Sequence, residues 1–426
     1  MEFVPIDRIG PAERETPVKH RHQFVSDDQW VRHVVEVGAH KKDEQEWCFE
    51  KAGPRERIHY DPSVCRSAVV TCGGLAPGLN NVIRSIVMES HFHYGVPEVL
   101  GIPKGFLGLN PASGLKPILL TPTMVDDIHT EGGSLLGSSR GRQDARVMLE
   151  YMINIGITQL YCIGGDGTMR AATELAQTAQ AQGADIAVVG IPKTIDNDVY
   201  FCDRTFGFAT AVDAARDILE VAHVEAKAAE RGIGLVKLMG RAAGFIACGA
   251  TISSQKVNYT LIPEQPFALH GEQGFLAELE RRMDTRDHAL IVVAEGAGQD
   301  LMTTEALGTD ASGNPRYADI GHFLRDEISA YFKERQKPVE IKYINPSYIV
   351  RGIPANSEDS VLCDRLARDA VHGAMAGKTA CMVSWINNRM VYVPLVMATG
   401  RKKRVELTGP LWQAVLAANG QPDRFG

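Results

Sequence analysis

Long uncharged apolar runs are missing from this sequence, and no segment is apolar enough over enough residues to span a bilayer. The N-terminus, Met1-Glu-Phe-Val-Pro-Ile-Asp7, lacks the basic region and following apolar run of an export signal. A cytoplasmic protein with no membrane partner is the expectation. Paired cysteines are missing too. The eight, at 48, 65, 72, 162, 202, 248, 363 and 381, include no Cys-x-x-Cys. That excludes a disulfide framework or a zinc ribbon and leaves reduced, mostly buried thiols. Nor is there an excess of positive charge: Lys plus Arg is 45 and Asp plus Glu 52, so the formal charge is 45 − 52 = −7. This argues against a nucleic-acid partner held by bulk charge. Basic residues are instead expected to cluster only where an anionic substrate sits.

What is present is ordinary for a soluble globular chain: 426 residues, 44% hydrophobic and 23% charged, enough for two domains. Residues 1–60 are polar, His-rich and without sustained period, apart from one short strand signal at Val31–Val37. They read as an extension packed on, or trailing from, the core. His20, His22, His33 and His40 are too irregularly spaced for a metal cluster and read as solvated surface.

From Cys65 onward, strand signals alternate with helical ones. The strands are Ser67–Thr71, Val99–Ile102, Gln159–Ile163, Ile186–Ile191, Gly234–Leu238 and Ala289–Ala294. The helices are Asn81–His91, Gln143–Asn154, Met169–Ala181, Ala209–Arg231, Ile320–Arg335 and Leu362–Ala376. Such alternation predicts a parallel sheet flanked by helices. Polar residues gather directly after the strands, at Gly73–Asn80, Gly164–Thr168, Pro192–Asp198, Met239–Arg241 and Glu295–Gln299. In open α/β sheets the ligand crevice lies at the carboxyl ends of the strands. One look-alike is set aside: Gly373-Ala-Met-Ala-Gly377-Lys378-Thr379 is a residue short of a P-loop and ends a helical pattern instead of opening one. Gly377 is expected as a helix C-cap, with Lys378 near the negative helix end.

The chemistry reads loop by loop. Gly164-Gly165-Asp166-Gly167-Thr168 joins a strand to a helix, where backbone N–H groups favour a phosphate. Asp166 beside that phosphate reads as a magnesium ligand, because Mg²⁺ takes carboxylate and phosphate oxygens together. Thr194-Ile195-Asp196-Asn197-Asp198, read as extended, places two carboxylates on one side. One of them can accept the proton of an attacking hydroxyl. Gly73-Gly74-Leu75-Ala76-Pro77-Gly78 allows close backbone approach to a nucleotide. Gly132–Arg142, with Arg140, Gly141 and Arg142, suits a polyphosphate. Met239-Gly240-Arg241 brings a guanidinium to a transferring phosphoryl group. Glu295 suits sugar hydroxyls, and Tyr348-Ile-Val-Arg351 a phosphate clamp. Together these loops predict phosphoryl transfer.

In order and approximate spacing, these motifs resemble those of the 6-phosphofructokinases over about residues 60–400, with Thr194–Asp198 and Met239–Arg241 the most specific. The Asp61-Pro lead-in, Thr71-Cys-Gly-Gly, Lys237-Leu-Met-Gly and His372-Gly-Ala-Met-Ala-Gly resemble the longer ATP-dependent branch of plants and trypanosomatids. The resemblance implies two doubly wound Rossmann-like α/β domains with parallel-rich sheets, the active site in the cleft between them, and an N-terminal extension. The implied boundaries are 1–66 for the extension, 67–207 with 359–400 for the ATP domain, and 208–358 with 401–426 for the fructose 6-phosphate domain. It implies transfer of the ATP γ-phosphoryl to the 1-hydroxyl of fructose 6-phosphate, with Mg²⁺, in an allosteric homodimer or homotetramer. Carried over, Asp196 is the base and Asp166 the metal ligand. Gly73, Arg140, Gly141, Gly165, Asp166, Gly167 and Thr168 serve ATP. Thr194, Ile195, Asp196, Met239, Gly240, Arg241, Glu295, Tyr348 and Arg351 serve the sugar phosphate, with Arg241 and Thr194 also at the migrating group.

Two departures qualify the donor and the interface. Lys193 stands where bacterial ATP enzymes have glycine and resembles the pyrophosphate-dependent relatives. Gly167 stands where those relatives have aspartate, and its lack of a carboxylate leaves room for a nucleotide α-phosphate. Seven residues before Met239, bacterial-type enzymes place an inter-subunit arginine; here it is Gly232, with Arg231 the candidate substitute. Three alternatives stay open: a pyrophosphate-dependent enzyme, an NAD or diacylglycerol kinase (which share Gly-Gly-Asp-Gly), and a non-catalytic regulatory homologue.

Overall fold

The computed structural model describes residues 1–19, 24–36, 46–302, 308 and 316–426. His20, His22, His40 and Val37 lie outside these. The chain divides into two compact units. Unit 1 is Met1–Thr194, Val199–Gly207 and Gly352–Lys402; unit 2 is Ile195–Asp198, Phe208–Arg351 and Lys403–Gly426. The segment carrying Asp196 therefore belongs to unit 2, although its flanks belong to unit 1.

Unit 1 is built on a ten-stranded sheet. Its middle runs Cys381–Ile386, Ala187–Pro192, Gln159–Gly164, Arg66–Thr71, Glu98–Ile102, every neighbour parallel. Ala187–Pro192 and Gln159–Gly164 are buried along their whole length, which is why they read as unbroken apolar runs without alternation. The helix Asp166–Ala181 packs on both and buries Met169, Ala172, Leu175, Ala176 and Ala179, the one-sided spacing of an amphipathic helix. Register aligns Thr71 with Ile163 and Gly164 with Pro192, so the polar loops after three strands begin side by side.

The described parts of residues 1–66 are built into this unit. Glu2–Val4 and Trp30–Arg32 both pair with Trp47–Lys51, which joins the sheet edge through Arg389–Pro394. Arg14–Glu15 and Arg57–Ile58 form a separate two-stranded ribbon. These strands run two to five residues, too short to show a period. The strand signal read at Val31–Val37 is Trp30–Arg32 in the fold.

The helix Ser357–Met375 ends as expected: Gly377 has φ +76°, and the N–H groups of Gly377 and Lys378 donate to the carbonyls of Ala374 and Gly373. Lys378 departs from expectation. Instead of facing the helix end, it is fully buried, with its ammonium on Glu50 and 3.2 Å from Asp27.

Unit 2 carries a four-stranded, all-parallel sheet in the order Tyr259–Leu261, His288–Ala294, Gly232–Leu238, Glu340–Ile344. Phe208–Ala228 packs on its two middle strands, and Ile320–Glu334 on Gly232–Leu238 and Glu340–Ile344. Leu238 stands opposite Ala294, so the loops that open at Met239 and Glu295 are neighbours. Among the described residues, no helix is long and apolar enough to cross a membrane.

Candidate active site

In unit 1 the glycine loops are stitched to one another. The Gly73 N–H donates to the Ser139 carbonyl (3.1 Å), and Ser138 Oγ donates back to the Gly73 carbonyl (2.6 Å). Thr71 Oγ1, at the end of its strand, donates to the Gly137 carbonyl at 2.6 Å and lies 2.9 Å from Ser134 Oγ. Arg140 and Gly141 follow on the exposed end of this stitched segment. Lys193 is buried; its N–H donates to the Gly164 carbonyl at 2.9 Å, and its ammonium donates to the carbonyl of Gly74. The lysine thus braces the first glycine loop against the second, a role independent of which donor is used.

The loop Gly164–Thr168 shows two different uses of glycine. A Cβ on Gly164 would lie 2.1 Å from Thr168 Oγ1, because Thr168 folds back into the turn. Around Gly167 a Cβ would meet nothing within 4 Å, and the backbone there has no positive φ. Neither packing nor backbone conformation calls for glycine at 167. Asp166 opens the helix, and its Oδ2 is 3.1 Å from Lys402 Nζ and 4.0 Å from Arg170 Nη1. Among the described residues no three Asp, Glu, His or Cys side chains group as a metal site. A single reachable carboxylate fits Mg²⁺, which binds through one or two carboxylates and completes its shell with phosphate oxygens and water.

In unit 2, the Arg241 N–H donates to Asp196 Oδ2 at 3.3 Å, joining the two most specific motifs of the sequence. Asp196 is 8% exposed, so its carboxylate sits in a shielded position. Asn197 has φ +55°, which turns the chain and breaks the alternation assumed for Thr194–Asp198. Asp196 and Asp198 are therefore not placed by strand periodicity. Asp198 is held by its carbonyl, which accepts the Lys403 N–H at 3.0 Å, while Lys403 Nζ donates to Asn197 Oδ1 at 3.1 Å. Thr194, the last residue of its unit 1 segment, accepts a bond at its carbonyl from Thr205 Oγ1 at 2.6 Å.

The loop Met239–Arg241 is locked to the loop at Glu295. The Glu295 and Gly296 N–H groups donate to the Leu238 and Gly240 carbonyls at 2.9 and 3.0 Å. Gly240 has φ +132°, and a Cβ on it would lie 2.6 Å from the Ala243 carbonyl oxygen. A Cβ on Gly296 would lie 1.9 Å from the Arg241 carbonyl oxygen. Burial pushes the Glu295 carboxyl above its usual range, while Arg241, Lys237 and Arg351 pull it down. Burial also works against the Asp319 carboxylate, but the Lys237 ammonium at 2.8 Å and the His322 N–H outweigh it and hold it at about 2. Arg241 stacks over Tyr317 at 5.0 Å, and Arg351 over the 79% exposed Tyr348 at 4.8 Å.

Unit 1 thus offers an open glycine loop beside a lone carboxylate, and unit 2 a shielded carboxylate bonded to an arginine-bearing loop. Residues 66–374 match the family model described as Phosphofructokinase. The chain belongs to the phosphofructokinase family. It is 48% identical over 384 residues to a protein of Amycolatopsis methanolica named ATP-dependent 6-phosphofructokinase, covering 89% of this chain and 83% of that one. It is 42% identical over 408 residues to ATP-dependent 6-phosphofructokinase 7 of Arabidopsis thaliana, covering 95% and 83%. A crystal structure of a pyrophosphate-dependent phosphofructokinase from Marinobacter aquaeolei shares the fold, with a TM-score of 0.68 at 20% identity over 85% of this chain and 93% of that one.

Against the bacterial-type phosphofructokinase pattern, the interface arginine has no counterpart at Gly232. A Cβ there would lie 2.0 Å from the Ala226 carbonyl oxygen, so helix–strand packing demands glycine. Arg231 is committed within unit 2: its guanidinium lies 3.3 Å from Asp284 and stacks over Phe332. The sequence reading passed over Gly296 and Lys402. Gly296 was hidden behind Glu295 in the same loop, and Lys402 lies in Arg401-Lys-Lys-Arg404, which resembles a solvated charge run.

Proposed function

We propose that this chain is an ATP-dependent 6-phosphofructokinase that transfers the γ-phosphoryl of ATP to the 1-hydroxyl of fructose 6-phosphate. The observation that carries the reading is the hydrogen bond from the Arg241 N–H to Asp196. It joins a carboxylate suited to take the hydroxyl proton to a residue whose guanidinium suits the charge of the migrating group. Glu295, Tyr348 and Arg351 serve the sugar phosphate, with Ile195 and Met239 as backbone neighbours of the base and the arginine. Gly73, Arg140, Gly141, Gly165, Gly167 and Thr168 serve the nucleotide, and Asp166 is the residue that would hold Mg²⁺. The ion, when bound, offsets phosphate charge during transfer. The relatives' names support ATP, and the space at Gly167 supports a donor with an α-phosphate.

The alternative donor is pyrophosphate, which Lys193 favours as a residue type. Its bonds to the Gly74 and Gly164 carbonyls give that lysine a bracing role, which weakens it as a donor signal. Initial rates with ATP and with pyrophosphate on one preparation decide the donor. Turnover with ATP alone is expected, and turnover with pyrophosphate alone overturns the reading. A homodimer or homotetramer in a reducing, cytoplasmic setting is part of the proposal. All eight cysteines are buried and none is in a disulfide, which supports the setting.

A further inference from the structure

Lys402 is an unusual partner for a carboxylate at the mouth of a glycine loop. It arrives from the far C-terminal end of unit 1, 236 positions after Asp166 (402 − 166). Its backbone is held by an antiparallel bridge to Val199, and Arg401 beside it stacks over Tyr200 at 5.9 Å. The stem is therefore anchored, while the side chain stays 40% exposed and its ammonium lies 3.1 Å from Asp166 Oδ2. A half-exposed Lys–Asp pair contributes little to stability. As a staple it is poorly placed; as a mobile cation on a fixed stem it is well placed.

We propose that Lys402 is a donor-phosphate residue. Its ammonium balances Asp166 before the donor arrives and passes to the donor's phosphate oxygens once the donor is bound. The inference rests on reading Asp166 as the metal-side residue. Asp166 would hold the ion, which would supply charge balance for a polyphosphate, and the lysine tip lies 3.1 Å from that carboxylate. Four methylenes let the tip swing while the bridge to Val199 stays closed. Arg170, also near Asp166 at 4.0 Å, belongs to the same helix as the aspartate and keeps the carboxylate partnered during the exchange.

The test is calorimetric titration, without sugar phosphate, of wild type, Lys402→Met, Lys402→Gln and Lys402→Arg with magnesium ATP. Fructose 6-phosphate is titrated as a control. The two neutral variants are expected to bind magnesium ATP about tenfold more weakly or worse, with partial recovery in Lys402→Arg and unchanged affinity for fructose 6-phosphate. Unchanged donor affinity in both neutral variants overturns the proposal. So does failure of both to fold, because the pair is then a structural staple. If wild type binds magnesium pyrophosphate and not magnesium ATP, the donor reading fails, and the same variants titrated with pyrophosphate decide Lys402.

Discussion

Gly167 of unit 1 and the pair Gly240 and Gly296 of unit 2 follow strands and use glycine in opposite ways. In unit 2, Gly240 and Gly296 let two loops press backbone to backbone, and a methyl group on either would collide with a carbonyl oxygen. In unit 1, Gly167 faces open space and is demanded by nothing in the protein. One kind of glycine builds the position of a neighbouring side chain, here Arg241. The other leaves a volume for something the chain does not contain. The sequence pattern is the same in both, and only the surroundings of the absent Cβ separate them.

The strongest break in this comparison is chemical. Asp196→Ser removes the shielded carboxylate of unit 2 and is expected to lower kcat by about 100- to 10,000-fold. Donor affinity, measured at equilibrium, should stay within twofold of wild type, since the glycine loops of unit 1 are untouched. A near-normal kcat would remove Asp196 as the base. Next in size is a pair of alanines. Gly296→Ala should lower stability by about 1–3 kcal/mol in urea unfolding and depress turnover, because the loop holding Arg241 has to shift. Gly167→Ala should be stable or gain about 0.4–1 kcal/mol, because glycine near a helix start adds only chain entropy. Equal losses in both would erase the distinction between packing and open glycines.

Gly167→Asp sharpens the open side of the comparison. Its Cβ has room in the protein, so the fold should be unaffected and the effect should fall on the donor alone. The KM for ATP is expected to rise about tenfold, equivalent to about 1.4 kcal/mol, with the KM for fructose 6-phosphate unchanged. Steady-state kinetics with each substrate varied in turn provide the check, and unchanged ATP kinetics would sink the steric argument.

Much of this was legible in the chain. The parallel strands Gln159–Gly164 and Ala187–Pro192 and the helix Asp166–Ala181 announce themselves because long buried elements carry strong apolar signals. The loops at their ends follow from the same alternation. The antiparallel pair Cys381–Ile386 and Arg389–Pro394 was missed, yet its turn is written as Asn387-Asn388, both with positive φ, between two apolar runs. The short strands of residues 1–66 carried no such signal. Nor did Lys378, whose place follows from partners over 300 positions away in Glu50 and Asp27 (378 − 50 = 328). At Thr194–Asp198 the extended geometry was wrong, since nothing before Asn197 warns of its left-handed turn. Local patterns report elements; they do not report which distant carboxylate a lysine will meet.

The smallest expected effect concerns Glu295, where the packed side of the comparison carries a charge. Its folded-state carboxyl lies above the ordinary glutamate value of 4.5, because burial outweighs the three nearby cations. A carboxyl raised by folding contributes stability that is full below its unfolded value and is lost as pH climbs through its folded one. Ionising this carboxyl therefore costs stability as pH rises, in a place suited to hydrogen-bonding a sugar hydroxyl. Glu295→Gln keeps the shape and removes the charge. Thermal unfolding should show the variant more stable than wild type at pH 7, with the gap closing as pH falls towards 4.5. The KM for fructose 6-phosphate should rise in the same variant. If the glutamine protein is instead less stable at pH 7, the carboxylate is holding Arg241, Lys237 and Arg351 together. Unit 2 would then be packed around its charges and not in spite of them.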